Sequence, residues 1–318
     1  MTATVSPEKA GPDTTPTSTR RGDRTFAAIA RLAAFTILVA LVAVFVFLAV
    51  EGWSGLTAVP AVYAPFTSFA SYIWPLVVST LLASAIAVIV AVPFAIGIAL
   101  FTSHYAPRRL AVVLAYLIDL LAAVPSVVFG LWGGRYLAAY LQPLHVWLHE
   151  HLGFLPFFGP GPPSPNGRSL FTAGIVLAIM ILPIITAITR EVFLQTPRLH
   201  EEAALALGAT RWEMVRYAVF PYARSGLVSG VMLGLGRALG ETMEVAMILA
   251  TTPQTTLNVI GTAQPATIAA NIALNFKEAT PERQSLLIAT GLVLFIVTFV
   301  VNFTARWVAG RSQRKLDR

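Results

Sequence analysis

Six apolar stretches, near residues 27–50, 74–101, 110–132, 169–189, 222–250 and 284–308, dominate this chain. Crossing about 30 Å of hydrocarbon takes about 20 helical residues, and each stretch is long enough. Lipid offers no water to unpaired backbone groups, so such stretches cross as helices. The expected fold class is all-α, a polytopic membrane protein with six transmembrane helices. With 56% hydrophobic and 12% charged residues, an ordinary soluble globule is excluded. The first stretch exceeds the apolar core of a cleaved signal peptide, so it reads as a retained span followed by an external loop, residues 27–73. Residues 1–26, rich in Thr, Pro and Arg, read as a disordered tail.

The basic residues sort by membrane side. Of 22 Lys and Arg, 17 fall in the N-terminal tail, the 102–109 loop, the 190–224 loop and the C-terminal end. Only Arg135, Arg168, Lys277 and Arg283 fall in the opposite loops, and Arg237 lies within a span. Positive charge collects on the cytoplasmic side, so both termini, including the basic tail at 311–318, are expected in the cytoplasm. This sorting accounts for the pI near 10 through the membrane, with no nucleic-acid partner. The outer loops at 133–168 and 251–283 are either simple connections or docking surfaces for an extracytoplasmic protein.

Several chemistries drop out. Zero cysteines exclude disulfides, thiolate metal sites and Cys nucleophiles. His145, His149 and His151 share an outer loop without the acidic context of a zinc site, so they read as a wet helix face and no metal site is expected. None of the three lysines follows the phosphate-cradling G-x-x-x-x-G pattern. The chain is therefore not an ATPase by that route, and ATP and Mg would be bound by a partner.

Four ionisable residues lie inside spans: Asp119, Arg237, Glu241 and Glu244. Intramembrane charges usually face a bundle interior or a water-filled path. At roughly 100° per residue, an unbroken fifth helix places Arg237, Glu241 and Glu244 on one face with Gly226, Gly230, Gly234 and Ala238. Small residues four apart let helix backbones approach closely. Arg237 and Glu241, spaced i, i+4, either pair along the helix and fix packing or line a route for an anion, whose oxygens a guanidinium matches. Asp119 lies about 13 Å into the third span, a candidate partner for Arg237. Pro93, Pro125 and Pro183 also sit within spans, where proline tends to kink a helix.

Between the fourth and fifth spans runs EEAALALGATRWEMVRYAVFP, residues 201–221. Thr196-Pro197 reads as a helix start, and Gly208 suits the left-handed position just past a helix end. Thr210 with Glu213 three residues on spells a capping box for a second helix. The plain reading is a solvated helical hairpin between spans.

The pattern Glu202-Ala203-Ala204, three residues, Gly208, then Phe220-Pro221 resembles the EAA loop of ABC-importer permeases, through which an ATPase drives a membrane channel. Ala218 and Phe220 stand where that family usually has Ile and Leu. Two further strings, LLAAVPSVVFGLWGG (120–134) and GLGRALGETMEVAMI (234–248), resemble phosphate-importer permeases of the PstC type, and the similarity covers about residues 75–308. The resemblance implies an ABC type-1 permease fold, with a permease domain at 74–310 and its coupling loop at 190–221. It implies ATPase coupling through Glu202, Ala203, Ala204, Gly208, Thr210, Glu213 and Pro221, and a substrate pathway at Arg237 and Glu241. Asp119 and Glu244 join that pathway set by their place in the spans. Glu244 stands where that family leads one to expect a small or apolar residue. Implied partners are a PstA-type permease, a PstB-type ATPase dimer, a PstS-type phosphate-binding protein and the lipid of a bacterial plasma membrane. The competing readings are a sulfate or molybdate permease and an ATPase-independent transporter. An intramembrane enzyme has no nucleophile–base constellation at matching depth to support it.

Overall fold

The computed structural model describes residues 20–159, 161–249, 252, 256–262 and 264–314. The described residues are helical with turns and irregular connections, and no strand is present among them. The chain divides into two units, residues 1–47 and 48–318.

In the first unit the described residues belong to helix α1, Arg20–Leu56. It begins inside the segment expected to be a tail, seven residues ahead of the expected span. Asp23 in its first turn complements the helix dipole, and the Thr25 hydroxyl donates to the Gly22 carbonyl. Residues 1–19 of that expected tail lie outside the described residues. Phe26, Ile29, Leu32 and Phe35 are all exposed, as suits a helix meeting lipid rather than water.

The second unit is organised on α6, Leu170–Leu194. On one side lies α2, Phe69–Leu100, whose Ala83, Ala87, Ala91 and Ala95 form a fully buried stripe at every fourth position. Methyl side chains let the two backbones come close, so packing replaces the hydrophobic drive that lipid does not supply. On the other side lies α9, Phe220–Gly240. A Cβ on Gly230 would stand 3.2 Å from Ile188, and one on Gly234 2.8 Å from Ile185. The glycine series on the fifth span thus faces protein, as its spacing predicts. The last long helix, α12, runs Pro281–Arg314, into the expected C-terminal tail; residues 315–318 lie outside the described residues.

Two expected spans are discontinuous. The third divides into α3, Arg108–Ala123, and α4, Ser126–Trp132, with an 89° bend between α3 and the segment beginning at Ser126. The cause is local: Pro125 disfavours helical geometry at Val124, which is extended at ψ 128°. The fifth stops at Gly240. Glu241 is extended at ψ 132°, and a short helix α10, Met243–Ile248, follows. Among the described residues, five helices are long and apolar enough to cross a membrane, or six if the bent pair counts as one span. By contrast, Pro93 and Pro183 sit within continuous helices.

The outer loops fold against the spans instead of hanging free. A π-helical turn at Gly133–Leu137 leads from α4 into α5, Ala138–Leu152. His145 there is completely buried, edge-on to Phe171, and so departs from the expected wet face, whereas His149 is half-buried and His151 exposed. His149 Nδ1 meets the Phe158 carbonyl, while His151 stacks on Trp147, so the three imidazoles do not converge. In the second outer loop, Ser79 Oγ donates to the Pro265 carbonyl, and Thr80 Oγ1 receives the Ile268 N–H opening α11, Ile268–Asn275. Backbone bonds from Ser164 N–H to the Ile260 carbonyl and from Val259 N–H to the Phe157 carbonyl tie the two loops together.

Candidate functional site

The two helix breaks deliver α4 and α10 to each other. Gly130 on α4 meets α10 backbone to backbone: a Cβ there would lie 2.9 Å from Glu244 Cα and 3.3 Å from Met247 Cβ. Gly133 and Gly134 keep the same surface low, against Ile248 and the Met247 carbonyl. The glycines of the 120–134 string are therefore the condition for seating a broken helix beside another. Backbone groups freed at such breaks are tolerated at membrane depth only within protein or beside a water-filled cavity.

Of the charged residues, Glu244 lies at this junction, while Arg237 and Glu241 flank the end of α9 that precedes it. Because α9 ends at Gly240, Glu241 and Glu244 leave the helical wheel that the sequence suggested. Arg237 is in the last turn of α9 and exposed, and its charge complements the helix C-terminus. Glu241 is half-buried in the break. Glu244, in the first turn of α10, is completely buried, and neither carboxylate oxygen has a hydrogen-bond partner among the described residues. Asp119 is exposed on α3. Among the described residues no ion pair links Arg237 with Glu241, Glu244 or Asp119. Of the two alternatives for Arg237 and Glu241, the helical pair is thus absent among the described residues because the backbone turns between its members, and the candidate Asp119–Arg237 partnership is absent among them too. Sequence counting missed the break, although Gly234, Gly236 and Gly240, poor helix formers, cluster just before Thr242.

The second constellation is the helical hairpin. Helix α7, Arg198–Ala206, has Pro197 as its N-cap residue, extended at ψ 126°, one position earlier in the helix frame than expected. Gly208 is left-handed at φ 85°, with Gly208 N–H bonded to the Leu205 carbonyl and Ala209 N–H to Ala204. That is the Schellman closure, and it turns the chain into α8, Arg211–Met214. Thr210 and Glu213 form the reciprocal capping box. Outside the apolar core of the span, the Thr210 N–H, and then its hydroxyl, hold the Glu213 carboxyl below the usual carboxylate range.

No residue of α7 is buried: Glu202 and Ala203 are exposed and Ala204 half-buried, while Leu207 is 91% exposed and Trp212 56%. Beneath this surface, a small apolar cluster of Ala99, Phe193, Met214, Val215, Val219 and Ala223 joins the hairpin to the ends of α2, α6 and α9. Glu201 reaches His104 at 3.5 Å, in the π-helical turn that ends α2. Pro221 stands at the start of α9, where its missing N–H is harmless. Replacing Gly208 by valine, which tolerates a left-handed backbone at a cost of about 1–2 kcal/mol, should leave the spans intact and disturb only this turn. Uptake per ATP hydrolysed should fall, and Gly208→Asn should restore it; normal coupling in the valine variant would contradict a role for the turn's geometry.

The chain is similar to known proteins over most of its length. The family described as binding-protein-dependent transport system inner membrane component matches residues 91–316. A phosphate transport system permease protein PstC 2 from Mycobacterium tuberculosis is 47% identical over 302 residues, 92% of this chain and 93% of the relative. A phosphate transport system permease protein PstC from Mesorhizobium japonicum is 38% identical, over 91% and 90% of the two chains. In fold, the chain is similar to a crystal structure of a bacterial alginate ABC transporter, with a TM-score of 0.57 at 15% identity, covering 93% of this chain and 98% of the other.

Proposed function

Because the chain belongs to the family of binding-protein-dependent transport system inner membrane components, a multi-pass ABC permease without ATPase chemistry of its own, we propose that its cargo is inorganic phosphate. The relatives that match nine-tenths of the chain are named as phosphate permeases. The observation that carries the reading is Arg237, exposed and without an ion pair among the described residues, at the end of a helix that breaks within an expected span. An arginine at that depth is costly unless it faces a polar path or partner. Its planar donors match the oxygens of a tetrahedral oxyanion.

The chain's own residues divide the work. Arg237 draws the anion towards the α9–α10 break. Glu241 beside it moderates the positive field, so that the ion passes on and does not stay bound. Glu244, buried and without a partner, either donates a hydrogen bond to the oxyanion when protonated or repels it when ionised, and Asp119 adds negative charge from α3. The hairpin presents Glu202, Ala203, Leu207 and Trp212 to an ATPase, and Thr210, Glu213 and Gly208 hold its shape. Nucleotide and Mg belong to that ATPase. The assembly is completed by a PstA-type permease, a PstB-type ATPase dimer and a PstS-type binding protein in a bacterial plasma membrane, with the hairpin and both termini in the cytoplasm.

Competition separates phosphate from the nearest alternatives. Labelled phosphate uptake by the reconstituted complex should be suppressed by unlabelled phosphate and left intact by equal sulfate or molybdate. Stronger suppression by sulfate or molybdate than by phosphate would reassign the cargo.

A further inference from the structure

We propose that Arg135 and Arg168 form an outer anion station, a cleft in which phosphate pauses between release by the binding protein and entry to the α9–α10 break. The proposal rests on the phosphate-importer reading and its orientation, with residues 133–168 outside.

The cleft has a volume of about 550 Å³ and lies over the α4–α10 contact. Gly134, Arg135, Gln142, Asn166, Arg168 and Met247 line it, and no carboxylate is among its lining residues. Two guanidiniums therefore face one space with nothing acidic in its walls to neutralise them. Arg168 is held in place: its Nη2 donates to the Met247 carbonyl at 2.5 Å, and its backbone N–H donates to Asn166 Oδ1 at 3.1 Å. Arg135, on the π-helical turn after α4, has no hydrogen bond or ion pair among the described residues. One arginine is fixed and the other is free to close on a ligand, and Gln142 adds amide donors. Such a set takes a small tetrahedral oxyanion, through charge-assisted bonds.

The position matters as much as the charge. Met247, bonded by Arg168, is one turn beyond Glu244 on α10. Glu244 in turn packs on Gly130, which also lines the cleft. An anion in the cleft thus sits next to the short helix that carries the buried carboxyl. Binding there competes with the Met247 carbonyl for the Arg168 guanidinium, which loosens α10 as the ion arrives.

The test uses the complete complex in proteoliposomes with saturating phosphate-loaded binding protein, comparing wild type, Arg135→Gln and Arg135→Lys. Arg135→Gln is expected to lower uptake by roughly tenfold, the scale of one charge-assisted contact, with Arg135→Lys recovering much of it. ATPase stimulation by loaded binding protein, and the binding-protein concentration giving half-maximal stimulation, should stay at wild-type values. Wild-type uptake in Arg135→Gln would overturn the station. A rise in the half-maximal binding-protein concentration, with maximal uptake unchanged, would also overturn it and make Arg135 a docking contact. Loss of phosphate uptake in the wild-type complex itself would instead refute the importer reading, so the two failures are distinct.

Discussion

Replacing Gly130 by valine is expected to abolish ATP-driven uptake. A Cβ at this position would meet Glu244 Cα at 2.9 Å and the Glu244 carbonyl oxygen at 3.2 Å. Both are backbone atoms of α10, so no side chain can swing aside to make room. Overpacking in a well-filled core costs about 1–3 kcal/mol even where side chains adapt, and here the backbone itself must move. The break at Glu241–Thr242 is where it gives way, which would displace Glu241 and Glu244 together. Gly97 supplies the control, since a Cβ there meets nothing within 4 Å. Gly97→Ala should therefore transport normally, whereas full uptake in Gly130→Val would refute the close seating of α4 on α10.

The second large effect is expected at Phe193. It is completely buried near the end of α6, edge-on to His104 at 6.2 Å and to Phe220 at 5.6 Å. Those rings belong to the turn ending α2 and to the start of α9. One phenyl group thus joins three transmembrane helices beneath the hairpin. Phe193→Ala removes about 3–5 kcal/mol of packing from a cluster of few members, too few to refill the space. The hairpin should still bind the ATPase through its exposed surface. Its movement, however, would be absorbed locally, so ATP would be hydrolysed with uptake reduced several-fold. Phe193→Leu, which keeps most of the volume, should retain more transport. Equal uptake per ATP in the alanine variant and wild type would show that force reaches the spans by another route.

Sequence legibility followed the range of the interactions. The hairpin was readable because its determinants are local: Gly208 for one backbone angle, and Thr210 with Glu213 for one cap. The small-residue series on the fifth span was readable because helical spacing alone placed Gly230 and Gly234 on the face that meets α6. Pro125 marks a disturbance in the sequence, but a proline in a span is compatible with a continuous helix, as at Pro93 and Pro183. What separates it from them is that Val124 leaves the helix altogether, at ψ 128°, and the chain turns by 89° before α4 seats against α10. Counting past Gly240 misplaces Glu241 and Glu244 because a 100° wheel assumes a continuous helix, whereas Glu241 is extended at ψ 132°. His145 failed for a similar reason, since its burial against Phe171 depends on a fold of the outer loop that no short pattern announces.

The most direct test of the account is ATP-dependent phosphate uptake into proteoliposomes holding this chain with its partner permease, ATPase and binding protein, comparing wild type with Arg237→Gln. Phosphate should enter the wild-type vesicles only with ATP, and entry should collapse in the variant while ATPase assembly persists. Undiminished entry through Arg237→Gln would contradict a phosphate path at the α9–α10 break and leave Arg237 a residue of helix packing.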